Sequence, residues 1–87
     1  MTRVEIRRLF DSGKLVAAQI KPRSGDWIVE FVIEENSEPI RLLNNNGEVR
    51  FFKSVDSAWR AIRAIGFEQA VIQSGVKRFK VPEQIHA

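Results

Sequence analysis

The chain has 87 residues, 44% of them hydrophobic and 29% charged, a balance typical of a globular domain and not of a disordered chain. A chain of this length builds one modest core, and the absence of cysteine excludes disulfides and thiolate metal sites. The formal net charge of +3 permits anionic partners. Because no signal-like or membrane-spanning apolar stretch is present, we expect a cytoplasmic protein without membrane contact.

The N-terminal segment predicts a short helix. Thr2 and Glu5 have the spacing of a capping box, and apolar residues then recur at helical intervals as far as an Asp-Ser-Gly sequence that ends at Gly13. Alternate residues from Val4 to Phe10 would also suit a strand paired with the segment that follows. Both interpretations stay open for residues 3–11, and the helix is favoured.

The next part of the chain predicts four strands with short connections. The third and fourth form a hairpin, because the Asn-Asn-Asn-Gly turn between them tolerates positive φ angles. The strands run from Leu15 to the turn at residues 22–25, over Asp26–Glu34, over Ile40–Leu43 and over Val49–Lys53.

The second predicted strand, Asp26–Glu34, has one apolar face and one mixed face. Trp27, Val29 and Phe31 alternate on the apolar face, which we assign to the core. On the mixed face, Ile28 and Val32 would leave apolar surface uncovered unless something packs on it.

A second helix follows the strands. Ser54 is its predicted N-cap and Gly66 its C-terminal glycine, and an apolar stripe from Val55 to Ile65 would cover the sheet. A last short strand follows over 67–73. We therefore predict an α+β fold: an antiparallel sheet of about four to five strands, a helix on one face and a short N-terminal helix. Residues 1–76 form the predicted domain, and residues 77–87 a loosely ordered tail.

Motifs for catalysis and cofactor binding are missing from the sequence. The single histidine, His86, is one residue from the end of the chain, and neither GxGxxG nor GxxxxGK[ST] occurs. The acidic residues 34, 35 and 38 lack the glycine and alternating carboxylates of a calcium loop. We expect a non-enzymatic protein with no cofactor and no metal.

Basic residues are the remaining candidates for function. Residues 26–38 carry five acidic and no basic side chains, so the rest of the surface is more basic than the net charge suggests. A row of arginines on a helix is often only its solvated face, and that alternative stays open. The predicted nucleic-acid contacts are Arg41, Arg50, Lys53, Arg60 and Arg63, and a further patch is formed by Arg3, Arg7 and Arg8.

The aromatic residues are mostly assigned to packing. Trp27 and Phe31 share a strand face, and Trp59 lies in the helix stripe predicted to cover that face. Phe51 and Phe52 are adjacent and face opposite sides of the sheet, so one of them is less covered. That residue marks a contact point.

Two resemblances bear on function. The W-x-V-x-F strand from Trp27, the hairpin and the F-K-S-x-x-x-A sequence that ends at Ala58 are similar to the three-stranded DNA-binding domain at the N-terminus of many phage integrases. That family lays its sheet in the major groove, which would make Arg41 and Arg50 base or phosphate contacts.

The second resemblance covers more of the chain. The opening I-R-R-L-F-x-x-G-K-L, the Trp-initiated strand, F-K-S-V-D-x-A and I-G-F resemble small accessory proteins of bacterial plasmids, some of them partition-associated. The expected function is therefore that of an accessory protein in plasmid or mobile-element maintenance, contacting DNA or a DNA-bound partner. The alternative is a protein-interaction module or homodimer that uses an exposed sheet face or edge.

Overall fold

The computed structural model describes residues 1–34 and 38–73, together with the strand backbone over 83–86. It has two helices and a mixed sheet, so the α+β class is confirmed. In chain order the elements are α1 (Arg3–Asp11), β1 (Ala17–Arg23), β2 (Asp26–Val32), β3 (Ile40–Arg41), α2 (Val55–Ile65), β4 (Gln69–Ile72) and β5 (Glu83–His86).

The N-terminal segment is a helix, as predicted, and the rival strand is excluded. The backbone N–H of Thr2 donates to Glu5 Oε1 at 2.9 Å, which fixes the first turn of α1. This backbone hydrogen bond lowers the pKa of the Glu5 carboxyl below its usual value. Ile6 is fully buried, and the chain leaves the helix through Gly13 at a φ of +76°.

The sheet has the order β3-β2-β1-β4, with β5 beyond β4. β2 pairs antiparallel with β1 and β3, and β5 antiparallel with β4, but β4 runs parallel to β1. The prediction of an antiparallel sheet is therefore wrong at this pair. The reason is the connection: α2 lies between β3 and β4 and carries the chain across, so β4 re-enters the sheet in the direction of β3.

The fourth predicted strand, Val49–Lys53, is replaced by two isolated bridges. Val49 bridges to Leu43, whereas Phe52 bridges to Trp27 at the start of β2. Because the segment changes partner between these points, no continuous ladder forms and the predicted hairpin is reduced to its turn. The turn itself is present, with the N–H of Gly47 donating to the Asn44 carbonyl at 3.0 Å.

The core joins alternate residues of the sheet to the apolar stripe of α2. Ser54 caps this helix by accepting the N–H of Ser57 at 3.1 Å, and Gly66 ends it at a φ of +134°. Trp27 and Trp59 pack at the edge of the buried cluster, as the sequence predicts. The buried cluster comprises Ile6, Ala18, Ile20, Val29, Phe31, Leu42, Phe52, Ala58, Ile62, Ile65 and Ala70.

The predicted C-terminal boundary falls where the chain is not described. Residues 77–82 and 87 of the predicted tail lie outside the described residues, and Glu83–His86 pairs with β4. In the described part of the chain, neither helix has the length and apolar character needed to cross a bilayer.

Candidate nucleic-acid interface

The predicted basic residues lie on different surfaces of the molecule. Neighbouring residues of a strand point to opposite faces, and Val29 of β2 belongs to the core cluster. Glu30 therefore points away from the core, and Arg41 of β3 lies opposite it on the same face. Arg60 and Arg63 are instead exposed on α2, the helix that contributes to the core. Arg41 and the two α2 arginines therefore face in different directions.

On the sheet, three charged residues from adjacent strands form what we call the sheet-face cluster: Lys21, Glu30 and Arg41. The Glu30 side chain is only 7% exposed. Its Oε1 lies 2.8 Å from Lys21 Nζ, and its Oε2 lies 3.2 Å from Arg41 Nε. Arg41 donates a hydrogen bond to Oε2, whereas Oε1 has no partner in regular hydrogen-bond geometry among the described residues. Lys21 therefore forms an ion pair with Oε1 and not a regular hydrogen bond.

The pKa of Glu30 reflects the two cations beside it in the sheet-face cluster. Burial alone would raise that pKa, but the contacts with Lys21 and Arg41 outweigh it and hold the pKa below the ordinary value of 4.5. Glu30 is consequently ionised at neutral pH and offsets part of the positive charge of its two neighbours. A phosphate approaching Arg41 would compete with this carboxylate.

The two other predicted cations of the sheet side also have neighbours. The guanidinium carbon of Arg50 lies 4.8 Å from the centroid of the Phe52 ring, in a cation–π contact. Lys53 Nζ lies 3.5 Å from Asp26 Oδ1, although the lysine side chain is 90% exposed and the pair is weak in water.

The helices carry the second basic surface. Arg7 Nη1 donates to the Ala64 carbonyl at 3.3 Å, which ties α1 to the end of α2. Phe10 also packs at this junction, so close to Gly66 that a Cβ there would lie 2.5 Å from Phe10 Cε2. The two helices, packed side by side, carry five exposed arginines, which we call the helix surface: Arg3, Arg7, Arg8, Arg60 and Arg63.

A groove of about 330 Å³ runs between the helices within the helix surface. Its lining combines Arg3, Arg7 and Arg8 with the apolar side chains of Val4, Ala64 and Ile65. Arg60 stands four residues before Ala64, so both lie on the same side of α2 and Arg60 continues the surface beyond the groove.

The helix surface differs from the sheet-face cluster in having little acid to balance it. Within residues 1–34 and 38–73, only Arg7 of the five arginines has a carboxylate within 4.0 Å, at 3.1 Å from Asp11. Both members of that pair are more than half exposed, so water screens their attraction. Uncompensated guanidinium groups on adjacent helices are suited to bind phosphate oxygens.

The five residues predicted from the sequence are therefore not brought together. Arg60 and Arg63 are exposed on the helix that packs beside the N-terminal arginines, whereas Arg41, Arg50 and Lys53 lie elsewhere and each has a carboxylate or a ring beside it. The sequence showed the arginines of α1 as a patch, but it contained no signal that α1 packs beside α2. That contact depends on Gly66, which the sequence marked only as a helix end.

The mixed face of β2 is less open than predicted. Ile28 is 2% exposed and Val32 is half-buried, so other groups of the protein already pack on Ile28 and it leaves no apolar surface uncovered. Ile28 lies opposite Lys21 in the β1–β2 register, beside the sheet-face cluster. A homodimer stays a prediction, but Ile28 does not supply its contact.

In the described part of the chain, no group of three or more His, Cys, Asp or Glu residues converges as metal ligands would. No protein-family model, curated protein or solved structure matches this chain.

Proposed function

We propose that this protein is a non-enzymatic accessory domain that binds nucleic acid by contacting phosphates through the helix surface. The observation that carries the proposal is the presence of five exposed arginines on the packed helices α1 and α2, with one carboxylate within 4.0 Å of them among the described residues. Guanidinium groups bind phosphate oxygens in a bidentate way, and each contact releases counterions from the nucleic acid.

The sequence-predicted contacts take different roles in this proposal. Arg60 and Arg63 bind phosphates, whereas Arg41 serves chiefly to neutralise Glu30, and Lys53 is a secondary contact. Contacts of this kind fix the position of a protein on nucleic acid without reading bases, so the domain acts beside a sequence-specific partner or without sequence preference. Its place in plasmid or mobile-element maintenance is proposed on the sequence resemblances alone.

The test is the salt dependence of binding. A fluorescently labelled oligonucleotide of about 16 nucleotides, as a single strand and as a duplex, is titrated by anisotropy between about 50 and 200 mM salt. If all five arginines contact phosphates, log K falls against log salt with a slope of about −3.5 to −4.5.

Two double variants separate the surfaces. Changing Arg60 and Arg63 to Gln should make the slope shallower by about 1.4 to 1.8, because two phosphate contacts are lost. Changing Arg41 and Arg50 to Gln removes the same formal charge from residues that contact Glu30 and the Phe52 ring, and it is the matched control, with a smaller expected effect. The proposal fails if the wild-type protein does not bind at about 50 mM salt, or if the two double variants behave alike.

A further inference from the structure

Phe51 is an aromatic residue that lies outside the core. Its side chain is 48% exposed, while that of the adjacent Phe52 is 5% exposed and belongs to the core cluster. Phe51 is therefore the less covered of the two adjacent phenylalanines. In a domain of this size, a half-exposed ring forgoes part of the stabilisation that burial would give.

The backbone register places Phe51 on the face of the sheet opposite the core. Trp27 and Phe52 exchange two hydrogen bonds, at 2.9 and 2.8 Å, as an antiparallel pair. Because neighbouring residues alternate at this pair, Phe51 and Lys53 lie on the side away from Phe52, and the 3.5 Å ion pair of Lys53 with Asp26, the residue before Trp27, agrees with it. Phe51 and Lys53 therefore point to the same side.

We propose that Phe51 is a stacking site for an unpaired base, so that the nucleic acid preferred by this protein is single-stranded. The inference rests on the proposed function and deepens it by naming the substrate class. A base in a duplex is already stacked on both sides, whereas an unpaired base offers a free π-face to an aromatic ring. Lys53, 90% exposed and two residues away, lies where it can meet the phosphate of the stacked nucleotide.

The position of Phe51 allows one strand to reach both sites. Lys53 immediately precedes Ser54, the N-cap of α2, and Arg60 lies six residues beyond Ser54. At the rise of an α-helix this is about 9 Å along the axis, within the span of a short oligonucleotide. Because Phe51 points away from the core that α2 covers, a strand that contacts both sites passes around the start of α2 to reach Arg60.

The test compares substitutions that keep the fold and change only the ring. Phe51→Leu keeps an apolar side chain of similar bulk but cannot stack, and Phe51→Trp keeps the stacking. The control is Val16→Ala, at an apolar residue that is 61% exposed elsewhere on the surface. Thermal unfolding of each variant checks that the fold is retained.

Binding is measured by anisotropy with a labelled oligothymidine strand, the same strand with abasic sites in place of its bases, and a duplex of equal length. We expect Phe51→Leu to weaken binding to oligothymidine about 5- to 100-fold and to leave duplex and abasic binding unchanged, since one stacked base is lost. Phe51→Trp and Val16→Ala should bind all three probes as the wild type does.

The outcomes separate this inference from the proposed function. If Phe51→Leu binds oligothymidine as tightly as the wild type while the Arg60 and Arg63 variant is weakened, the stacking site is refuted and the phosphate contacts stand. If Phe51→Leu weakens binding to the abasic strand equally, the residue does not contact a base and the inference is overturned. If no probe binds the wild-type protein, the proposed function itself fails.

Discussion

The sheet-face cluster and the helix surface are both basic, but they differ in what lies between the cations. In the sheet-face cluster, two partly exposed cations flank a carboxylate that is almost fully buried, so that carboxylate offsets part of their charge. On the helix surface the arginines are exposed, and one exposed carboxylate lies within 4.0 Å of them in the described part of the chain. Counting basic residues therefore does not locate a binding surface, because the acid beside each cation decides whether it is available.

The difference also predicts what each region contributes. A buried ion pair that loses one partner leaves a charge in a medium of low dielectric, and the cost appears in the free energy of unfolding. An exposed cation loses little stability when it is removed, but it can lose a phosphate contact. Variants of the sheet-face cluster should therefore change stability, and variants of the helix surface should change binding.

The largest effect is expected where the helix surface is assembled. In Gly66→Ala, the new methyl group would meet the Phe10 ring at 2.5 Å, and the residue would hold a φ of +134°, which disfavours any side chain. We expect the free energy of unfolding to fall by about 2 to 4 kcal/mol, measured by urea denaturation.

Gly25→Ala is the matched control for that variant. Its φ is +86°, but nothing lies within 4 Å of the added methyl group, so it has backbone strain without a collision. The expected loss is about 1 to 2 kcal/mol. Equal losses for the two variants would show that the Phe10 ring moves aside and that its close approach to Gly66 adds no cost.

The next effect concerns the centre of the sheet-face cluster. Glu30→Gln keeps the shape of the side chain but leaves Lys21 and Arg41 without their carboxylate, and we expect a loss of about 1 to 3 kcal/mol at pH 7. Because the folded-state pKa of Glu30 lies below the ordinary value of 4.5, its ionised form stabilises the fold fully above that value.

This pH dependence provides the check on Glu30. As pH falls below 4.5 and through the folded-state pKa, the wild-type protein loses the contribution of Glu30 and the variant does not. The difference in unfolding free energy between the two proteins should therefore shrink in acid. A difference that stays constant between neutral and acid pH would contradict the role given to the ionised carboxylate.

The sequence predicted local structure well and tertiary arrangement poorly. The spacing of Thr2 and Glu5 and the positions of Ser54 and Gly66 predicted both helices, because caps and apolar periodicity are local signals. The parallel pairing of β4 with β1 was missed, since short local patterns do not encode the direction in which a chain re-enters a sheet.

The candidate site shows the same division. The arginines of both helices were visible in the sequence, and so was the fact that either Phe51 or Phe52 is uncovered. What remained hidden was that α1 packs beside α2 and that Glu30 is buried between two cations, because both depend on contacts between distant parts of the chain. Arg41 and Arg60 therefore looked equivalent in the sequence, although their surroundings differ.

A single pair of substitutions tests that contrast directly. Arg41→Gln removes one of the two cations beside buried Glu30, and we expect a loss of about 1 kcal/mol of unfolding free energy with a small change in nucleic-acid binding. Arg63→Gln should leave stability within about 0.5 kcal/mol of the wild type and make the salt slope shallower by about 0.7 to 0.9. The distinction between the two regions is lost if both variants change the same property.

The smallest stability effect is expected at Asp11, the one carboxylate paired with the helix surface among the described residues. Its ion pair with Arg7 joins side chains that are 60% and 54% exposed, so Asp11→Asn should cost less than about 0.5 kcal/mol.

Asp11→Asn should strengthen nucleic-acid binding, whereas every arginine variant should weaken it. With Arg7 released, the helix surface gains one available guanidinium, and the salt slope should steepen by up to about 0.9. Asp26→Asn adds the same charge by releasing Lys53, the secondary contact, and is the comparison, with a smaller expected gain in binding. Tighter binding by Asp11→Asn than by Asp26→Asn would locate the phosphate contacts on α1 and α2, and the reverse order would move them to the sheet.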